Sequence, residues 1–441
     1  MKFQENIKSW KKFPNVDTLG CYHCLGNYIQ LNEFEDETEF KKAVSNPSAD
    51  KNRFSTYLHE HQHYIDQVST YWGILNIYRI FRAFNTSILG NEHDFHHYRN
   101  LILNLQRDYF LEYYTEQYSL VEGSYADPWK FQLTVGIRFN FEGKVNEDKP
   151  IHFITFSSSD GQKISRVPIS VVSLLETTAT YIEYRFLLDE ALKLESPYKE
   201  LQLKALSAKI EKKLYHPKLT LYSAAVHLTS VFLKINDPIL GYKISSVFAK
   251  IALNIPESLF DDVLIPKDLS KDEVWLNRSK KFMNNFDRGF LFYLLIRNYS
   301  ETLGEVKGLE IDIEKILSAS HLPNEEIIEK LIFEEVTKLD VEILMERNCF
   351  NRQIIDRVFF GNKFRKSTGL GQQRIQEDLS EFIRDKPHLI FASTLFDYEN
   401  LELKPIVDKV IKQQEISREE WFRLYTYCEK RIDGFNEICG I

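Results

Sequence analysis

The residues of this chain best suited to chemistry stand together at His59-Glu60-His61-Gln62-His63, a complete H-E-x-x-H. On an α-helix, residues four apart stack on one face, so His59 and His63 can offer imidazole nitrogens to one metal ion. Glu60 lies one position round, beside the place where a water would sit. Two neutral nitrogen ligands and a neighbouring carboxylate are the working parts of metal-assisted hydrolysis. With 12 His in 441 residues, roughly 0.03 such matches are expected by chance. Zn2+ is therefore the expected cofactor, His59 and His63 the expected ligands, and Glu60 the expected general base.

A helix must position them, and the surrounding sequence predicts one. In Phe54–Trp72 the residues Phe54, Leu58, Ile65, Val68 and Trp72 recur at spacings of three and four and form one apolar stripe. His59, Glu60 and His63 lie off that stripe. His61 falls near it and is expected to pack in the core. The loop Asn46–Asn52 precedes this helix, and the apolar pattern continues through Ile74–Phe84. After a polar break at Asn85–Asn91, a second helix is expected over Asp94–Tyr118. Its opening, Glu92–His97, is rich in histidine but lacks the glutamate of the first motif and reads as a solvated helix start.

Further along, the period changes. Phe131–Phe139 and Ile151–Phe156 are β-branched and aromatic, Ser157–Gln162 is turn chemistry, and Lys163–Val167 alternates again. Ile151–Val167 is thus predicted as a β-hairpin, with Pro168 in the first turn of the next helix. That helix, Ile169–Leu194, carries a core stripe of Val172, Leu175, Ala179, Ile182 and Phe186, with Glu176 and Glu183 together on its flank. One or two short strands are expected in Thr18–Leu31, around Cys21-Tyr22-His23-Cys24. A zinc knuckle there lacks its second pair of ligands, so these read as ordinary thiols.

A catalytic zinc takes a third protein ligand. A histidine six positions after His63 would complete one common pattern, but that residue is Ser69. Asp66 cannot join His59 and His63 on a single ion from one straight helix and reads as a supporting or surface charge. An H-E-x-x-H on one helix with a glutamate on a later one, here Phe54–Trp72 and Ser173–Phe186, resembles the gluzincin class of zinc metallopeptidases. That resemblance implies a zincin-like N-terminal region and makes Glu176 the third ligand, with Glu183 on the same face as the fallback. The chain departs from the class in the 113 positions between His63 and Glu176, and in Thr180, where an acidic residue is frequent. The resemblance also implies an edge strand to hold an extended peptide, assigned to the Ile151–Val167 hairpin, while the charge that develops in zinc-assisted hydrolysis calls for an oxyanion donor, with His152, Tyr181 and Tyr184 as candidates. Ser173-Leu174-Leu175-Glu176 also matches a capping box, which would make Glu176 a helix-start residue instead.

Beyond Glu195 the amphipathic stretches Tyr198–Leu214, Leu219–Ile235, Leu240–Ile255, Lys271–Asn298, Glu325–Arg347, Ile354–Arg365, Gln372–Arg384 and Arg418–Ile432 all predict helices, with no strand among them. The expected fold is α+β and predominantly helical. Residues 1–195 form a metal-site domain with a small sheet, and residues 196–441 an all-α domain for substrate or partner recognition. A 43% hydrophobic and 14% aromatic composition supports substantial cores. The net charge of −8 gives no general attraction to nucleic acid or an anionic membrane. The basic stretch Arg352–Lys366 reads as a solvated face. With no signal-like start, no span-length apolar run and five cysteines, a cytoplasmic protein is expected.

The functional expectation is zinc-dependent hydrolysis of a peptide or other amide bond, with a protein or peptide as substrate. Two alternatives come from other classes. Glu60-x-x-His63, with Asp94-x-x-His97 as an imperfect second copy, suggests a helical di-metal carboxylate protein. An accidental motif would leave a non-enzymatic helical interaction protein.

Overall fold

The computed structural model describes residues 19–139, 143–304, 311–372, 387–394 and 400–439. The helix expected over Gln372–Arg384 falls outside these beyond Gln372. The fold is α+β and predominantly helical, with two small sheets among the described residues.

The chain opens with a hairpin of β1 (Gly20–His23) and β2 (Tyr28–Leu31). Helix α1 (Glu37–Ser45) is N-capped by Asp36, whose carboxylate accepts from the Thr38 and Glu39 amides. Then come α2 (Lys51–Ser69), which carries the histidine motif, and α3 (Tyr71–Leu89). The sequence reads as one helix through Trp72, but the backbone breaks at Thr70. Its side chain caps α3 by accepting from the Gly73 amide, a role Thr fills better than mid-helix. Gly73 permits the tight corner, because a Cβ there would lie 2.1 Å from the Gln67 carbonyl oxygen.

Helix α4 (His96–Asp108) is shorter than the expected Asp94–Tyr118. The aromatic run Phe110–Tyr114 forms a 3-10 turn instead. It leads to the two-residue strand β3 (Glu116–Gln117), then β4 (Lys130–Phe139), β5 (Val145–Ser157) and β6 (Lys163–Pro168). These form an antiparallel sheet in the order β3-β6-β5-β4. Pro168 closes β6 rather than opening the next helix. Helix α5 (Val171–Leu192) is capped by Ser170 and Ser173 in a reciprocal box, which puts Glu176 in the second turn and free of capping duty.

The remaining elements are α6 (Tyr198–Leu214), α7 (Thr220–Leu233), α8 (Pro238–Asn254), the short α9 (Lys267–Lys271), α10 (Glu273–Asn284), α11 (Arg288–Leu303), α12 (Ile313–Ala319), α13 (Glu325–Met345), α14 (Asn351–Thr368), β7 (His388–Phe391), α15 (Leu403–Ile411) and α16 (Arg418–Cys439). The stretch Lys271–Asn298, expected as one helix, breaks where Asp287 caps α11 by accepting from the Phe290 amide. The strand β7, where none was expected, pairs parallel with β2 and makes a sheet of order β1-β2-β7. Its four residues are too few for a periodic signal to stand out.

The core is continuous across residue 195: Leu58, Ile182, Phe248 and Phe292 belong to one apolar cluster. Helix α5 lies at its centre, packed on α2, α7 and α8. It is buried almost all round, as a helix covered on every side must be. Helix α14 crosses α2 so closely that a Cβ on Gly361 would lie 1.6 Å from the Val68 carbonyl oxygen. Beside that crossing Arg365 is fully buried, donating to Glu329 and to the Ser69 carbonyl oxygen at 3.0 Å. The solvated face expected at Arg352–Lys366 therefore does not include Arg365. No helix among the described residues is long and apolar enough to cross a membrane.

Candidate metal centre

Helix α2 presents His59 and His63 on the side facing α5, with ring centroids 5.0 Å apart and nearly perpendicular. Glu176 reaches both from α5. Its Oε2 lies 3.2 Å from His59 Nε2 and its Oε1 lies 3.7 Å from His63 Nε2. One donor atom from each of the three lies within 4.8 Å of the others, the one such cluster of three or more among the described residues. All three side chains are largely buried but reach the surface, at 12–15% exposure. Glu183, two turns further along α5, does not join the set. It stands behind His59, with Oε2 3.8 Å from Nδ1 and Oε1 3.1 Å from Lys213 Nζ.

Glu60 is buried beside the cluster and faces β1. A Cβ on Gly20 would stand 2.9 Å from Glu60 Cγ, so β1 can lie this close only because residue 20 has no side chain. The carboxylate accepts the Tyr22 amide of β1. The hydroxyl of Tyr22 in turn donates to Gln67 Oε1 on α2 at 2.6 Å, which ties strand to helix. The thiol of Cys21 lies by Glu60 and Glu176 and is pushed up to about 12, by burial first and then by those carboxylates. It is a neutral thiol at physiological pH.

The electrostatics follow from packing acids and imidazoles together away from water. Burial disfavours a charged His59, but the Glu176 carboxylate against it wins and pushes the ring up to about 9. His63 is pushed down to about 4 by burial and is a neutral imidazole. Burial works against the Glu176 carboxylate, yet His63 and the hydrogen bond with His59 hold it below its ordinary range. Burial lifts Glu60 to about 7, within reach of both protonation states near neutrality.

Two further groups face this cluster. Tyr222 on α7 has its ring 6.3 Å from that of His59. Its phenol is pushed up by the charge of Glu176 first and by burial second. Glu112, in the turn after α4, is lifted to about 7 by burial and by Glu176. Neither is marked by any sequence motif; Tyr222 is one of 23 tyrosines.

Other sequence candidates lie elsewhere. His152 sits among Trp275, Phe282, Phe290 and Tyr293. Tyr184 packs edge-on against Tyr242, and the charged neighbours of Tyr181 are Arg185 and Asp189. The strand beside Glu60 is β1, at the edge of its sheet, and not the Ile151–Val167 hairpin. Within that hairpin β5 is paired on both sides, and the outer edge of β6 carries β3. Asp66 is fully buried, so it is no surface charge. Its carboxylate accepts from Gln62 Nε2 at 2.6 Å and from the Thr178 hydroxyl, with Lys250 as its charge partner. His61 is fully buried between Tyr57 and Tyr64. Asp94 lies in the 3-10 turn Glu92–Phe95 and His97 in the first turn of α4 beside Arg82 and Glu346, and neither belongs to the His59, His63 and Glu176 cluster. Cys21 and Cys24 are free thiols.

Compared with protein-family models, with curated proteins and with solved structures, the chain matches none.

Proposed function

We propose that this chain is a zinc-dependent hydrolase acting on a peptide or other amide bond, with a site that resembles the gluzincin arrangement. The observation that carries the proposal is the convergence of His59 Nε2, His63 Nε2 and the Glu176 carboxylate, from two helices far apart in sequence, with Glu60 buried alongside. The donor set suits zinc, which is commonly held in hydrolases by two histidines and a carboxylate. The spacing suits it as well. Bonds of about 2.0–2.1 Å at tetrahedral angles put donors about 3.3 Å apart, and the His–Glu separations here are 3.2 and 3.7 Å.

Bound there, zinc would acidify a water molecule and polarise the carbonyl under attack. The other tasks fall to the chain's own side chains. Glu60, balanced near neutrality by burial, takes a proton on its carboxylate and returns it to the leaving amine. Tyr222, whose ring lies 6.3 Å from that of His59, offers its hydroxyl to the oxygen on which negative charge develops. Among the described residues β1 has no strand on its outer side, where Glu60 holds the Tyr22 amide, and an extended substrate backbone can pair only with the groups of that edge that Glu60 leaves open. Glu183, 3.8 Å from His59 Nδ1 and hydrogen-bonded to Lys213, sets a negative charge behind that ring.

Elemental analysis of the purified full chain tests this directly. One zinc per chain is expected, lost in His59→Ala and Glu176→Gln and kept in Glu60→Gln, whose peptide hydrolysis falls by about a hundredfold or more. Two metals per chain, absence of zinc from the wild type, or undiminished hydrolysis by Glu60→Gln would each overturn it.

A further inference from the structure

A second polar cavity lies away from the metal cluster, between the end of α4, the β4–β5 ladder and the α10–α11 junction. It encloses about 260 Å³ and is lined by Arg107, Arg138 and Lys149, with Asn104 and Asn285 among its amide groups and Asp287 as its single acid. The chain is shaped locally to bring these cations together. The register of β4 against β5 runs from Ile137 opposite Pro150 to Arg138 opposite Asn146. Glu147, Asp148 and Lys149 therefore stand out of the ladder without partners on β4. Bulges of this kind re-aim side chains and occur beside sites. The bulge is held in shape: Asn285 Nδ2 donates to the Asp148 carbonyl oxygen at 2.6 Å, and Arg278 and Lys281 both reach the Glu147 carbonyl oxygen.

The positive charge so gathered is only partly neutralised, by Asp108 and Asp287. Arg107 is matched by Asp108 through two hydrogen bonds of 2.7 and 2.9 Å. Arg138 instead donates to the carbonyl oxygens of Gln106 and Arg107, and its buried Nε–H has no acceptor. Lys149 forms no ion pair among the described residues. Burial first, and then Arg138, Arg107 and Arg99, depress its ammonium. The carboxyl of Asp287 is engaged by the Phe290 amide and lifted to about 6 by burial. Arg138 and Lys149, neither in an ion pair among the described residues, stand with Arg107 and the Asn104 side-chain amide around a half-open cavity, a lining that matches a compact dianion with several acceptor oxygens.

We infer that this cavity is a binding site for a phosphate group, either free phosphate or the phosphoryl end of a small monoester, held by Arg138 and Lys149. The inference is independent of the metal reading.

The test uses the full chain at constant ionic strength. Inorganic phosphate and glycerol 3-phosphate are each titrated by calorimetry and by thermal unfolding, with sodium chloride as the control. Both probes are expected to bind and to raise Tm with concentration, where chloride does not. Tighter binding of the ester identifies a phosphorylated small molecule as the ligand, and tighter binding of phosphate identifies the free anion. Arg138 also holds the end of α4, so the diagnostic variant is Lys149→Gln, at a half-buried position with no partner to lose. It should unfold like the wild type without phosphate yet bind at least about tenfold more weakly, and Lys149→Arg should keep most of the affinity. No saturable binding of either probe by the wild type, or equal binding by Lys149→Gln, overturns the inference.

Discussion

Replacing His152 with leucine should weaken the acid sensitivity of the fold by a calculable amount. His152 is 1% exposed, inside a box of aromatic rings, and neither ring nitrogen has a hydrogen-bond partner among the described residues. Burial pushes it down to about 3 from an ordinary value of 6.5. The folded chain therefore keeps this ring neutral, whereas the unfolded chain protonates it once the pH drops below 6.5. Because the unfolded state binds the extra proton, stability is full above pH 6.5 and is lost progressively as pH falls towards 3. Each pH unit in that window costs about 1.4 kcal/mol, so the loss between pH 7 and pH 5 attributable to His152 is about 2 kcal/mol. Urea unfolding of wild type and His152→Leu at both pH values measures it. Any packing change from the substitution shifts both pH values alike and cancels in the comparison. The wild type should remain the more acid-sensitive by that margin. His227 and His388, each depressed to about 4 by burial, keep a residual acid limb in the variant. An unchanged pH dependence would refute the reasoning, and would mean that His152 is hydrated or paired. The hydrolysis proposed above should be unaffected at pH 7, since the ring is not at the His59, His63 and Glu176 cluster.

Three other outcomes are expected. Tyr222→Phe should lower kcat by about a hundredfold while KM and zinc content stay put; an unchanged kcat removes the tyrosine from the chemistry. Gly20→Ala forces a methyl against Glu60 Cγ and should cost about a hundredfold in kcat through misplacement of the base, with metal retained on analysis. Lys250→Met removes the cation that favours ionised Asp66 and the donor to Gln372 Oε1, so Asp66 takes up a proton and the fold should lose about 1–3 kcal/mol in urea titrations. The double variant Asp66→Asn/Lys250→Met should recover part of that loss, because it leaves no carboxylate to protonate.

Much of this could be read in the sequence, for reasons that differ by residue. His59, Glu60 and His63 were legible because one helical turn fixes their relation without help from the rest of the chain. Glu176 needed a second helix and a resemblance, and its capping alternative lapsed only when Ser170 proved to be the cap. The hairpin of β5 and β6 announced itself through its turn residues, whereas β7 is four residues long and owes its strand conformation to β2. Tyr222 and Gly20 carry no local signature at all. Each matters only through what the tertiary fold sets against it, the charge of Glu176 in one case and the side chain of Glu60 in the other. The helix breaks at Thr70 and Asp287 were visible as residue types, but both sit in apolar surroundings whose periodicity runs straight through them. Arg365 shows the opposite failure: a residue type that belongs in water is fully buried because Glu329 and a helix-end carbonyl were waiting for it.

The pairing of β2 with β7 has a consequence for the order in which the protein can become competent during synthesis. The strand that walls Glu60 belongs to a hairpin held in place by β7, and by Trp421, whose indole donates to the Gly26 carbonyl oxygen at 2.8 Å. A chain emerging from the ribosome would present His59, His63 and Glu176 long before either of these. Helices α2 and α5, which gather the three residues, can dock early, while the wall behind Glu60 waits for distant contacts to close. A partly made chain would thus gather His59, His63 and Glu176 without a fixed wall behind Glu60. The cluster would be complete only once α16 is laid against the β1–β2 hairpin.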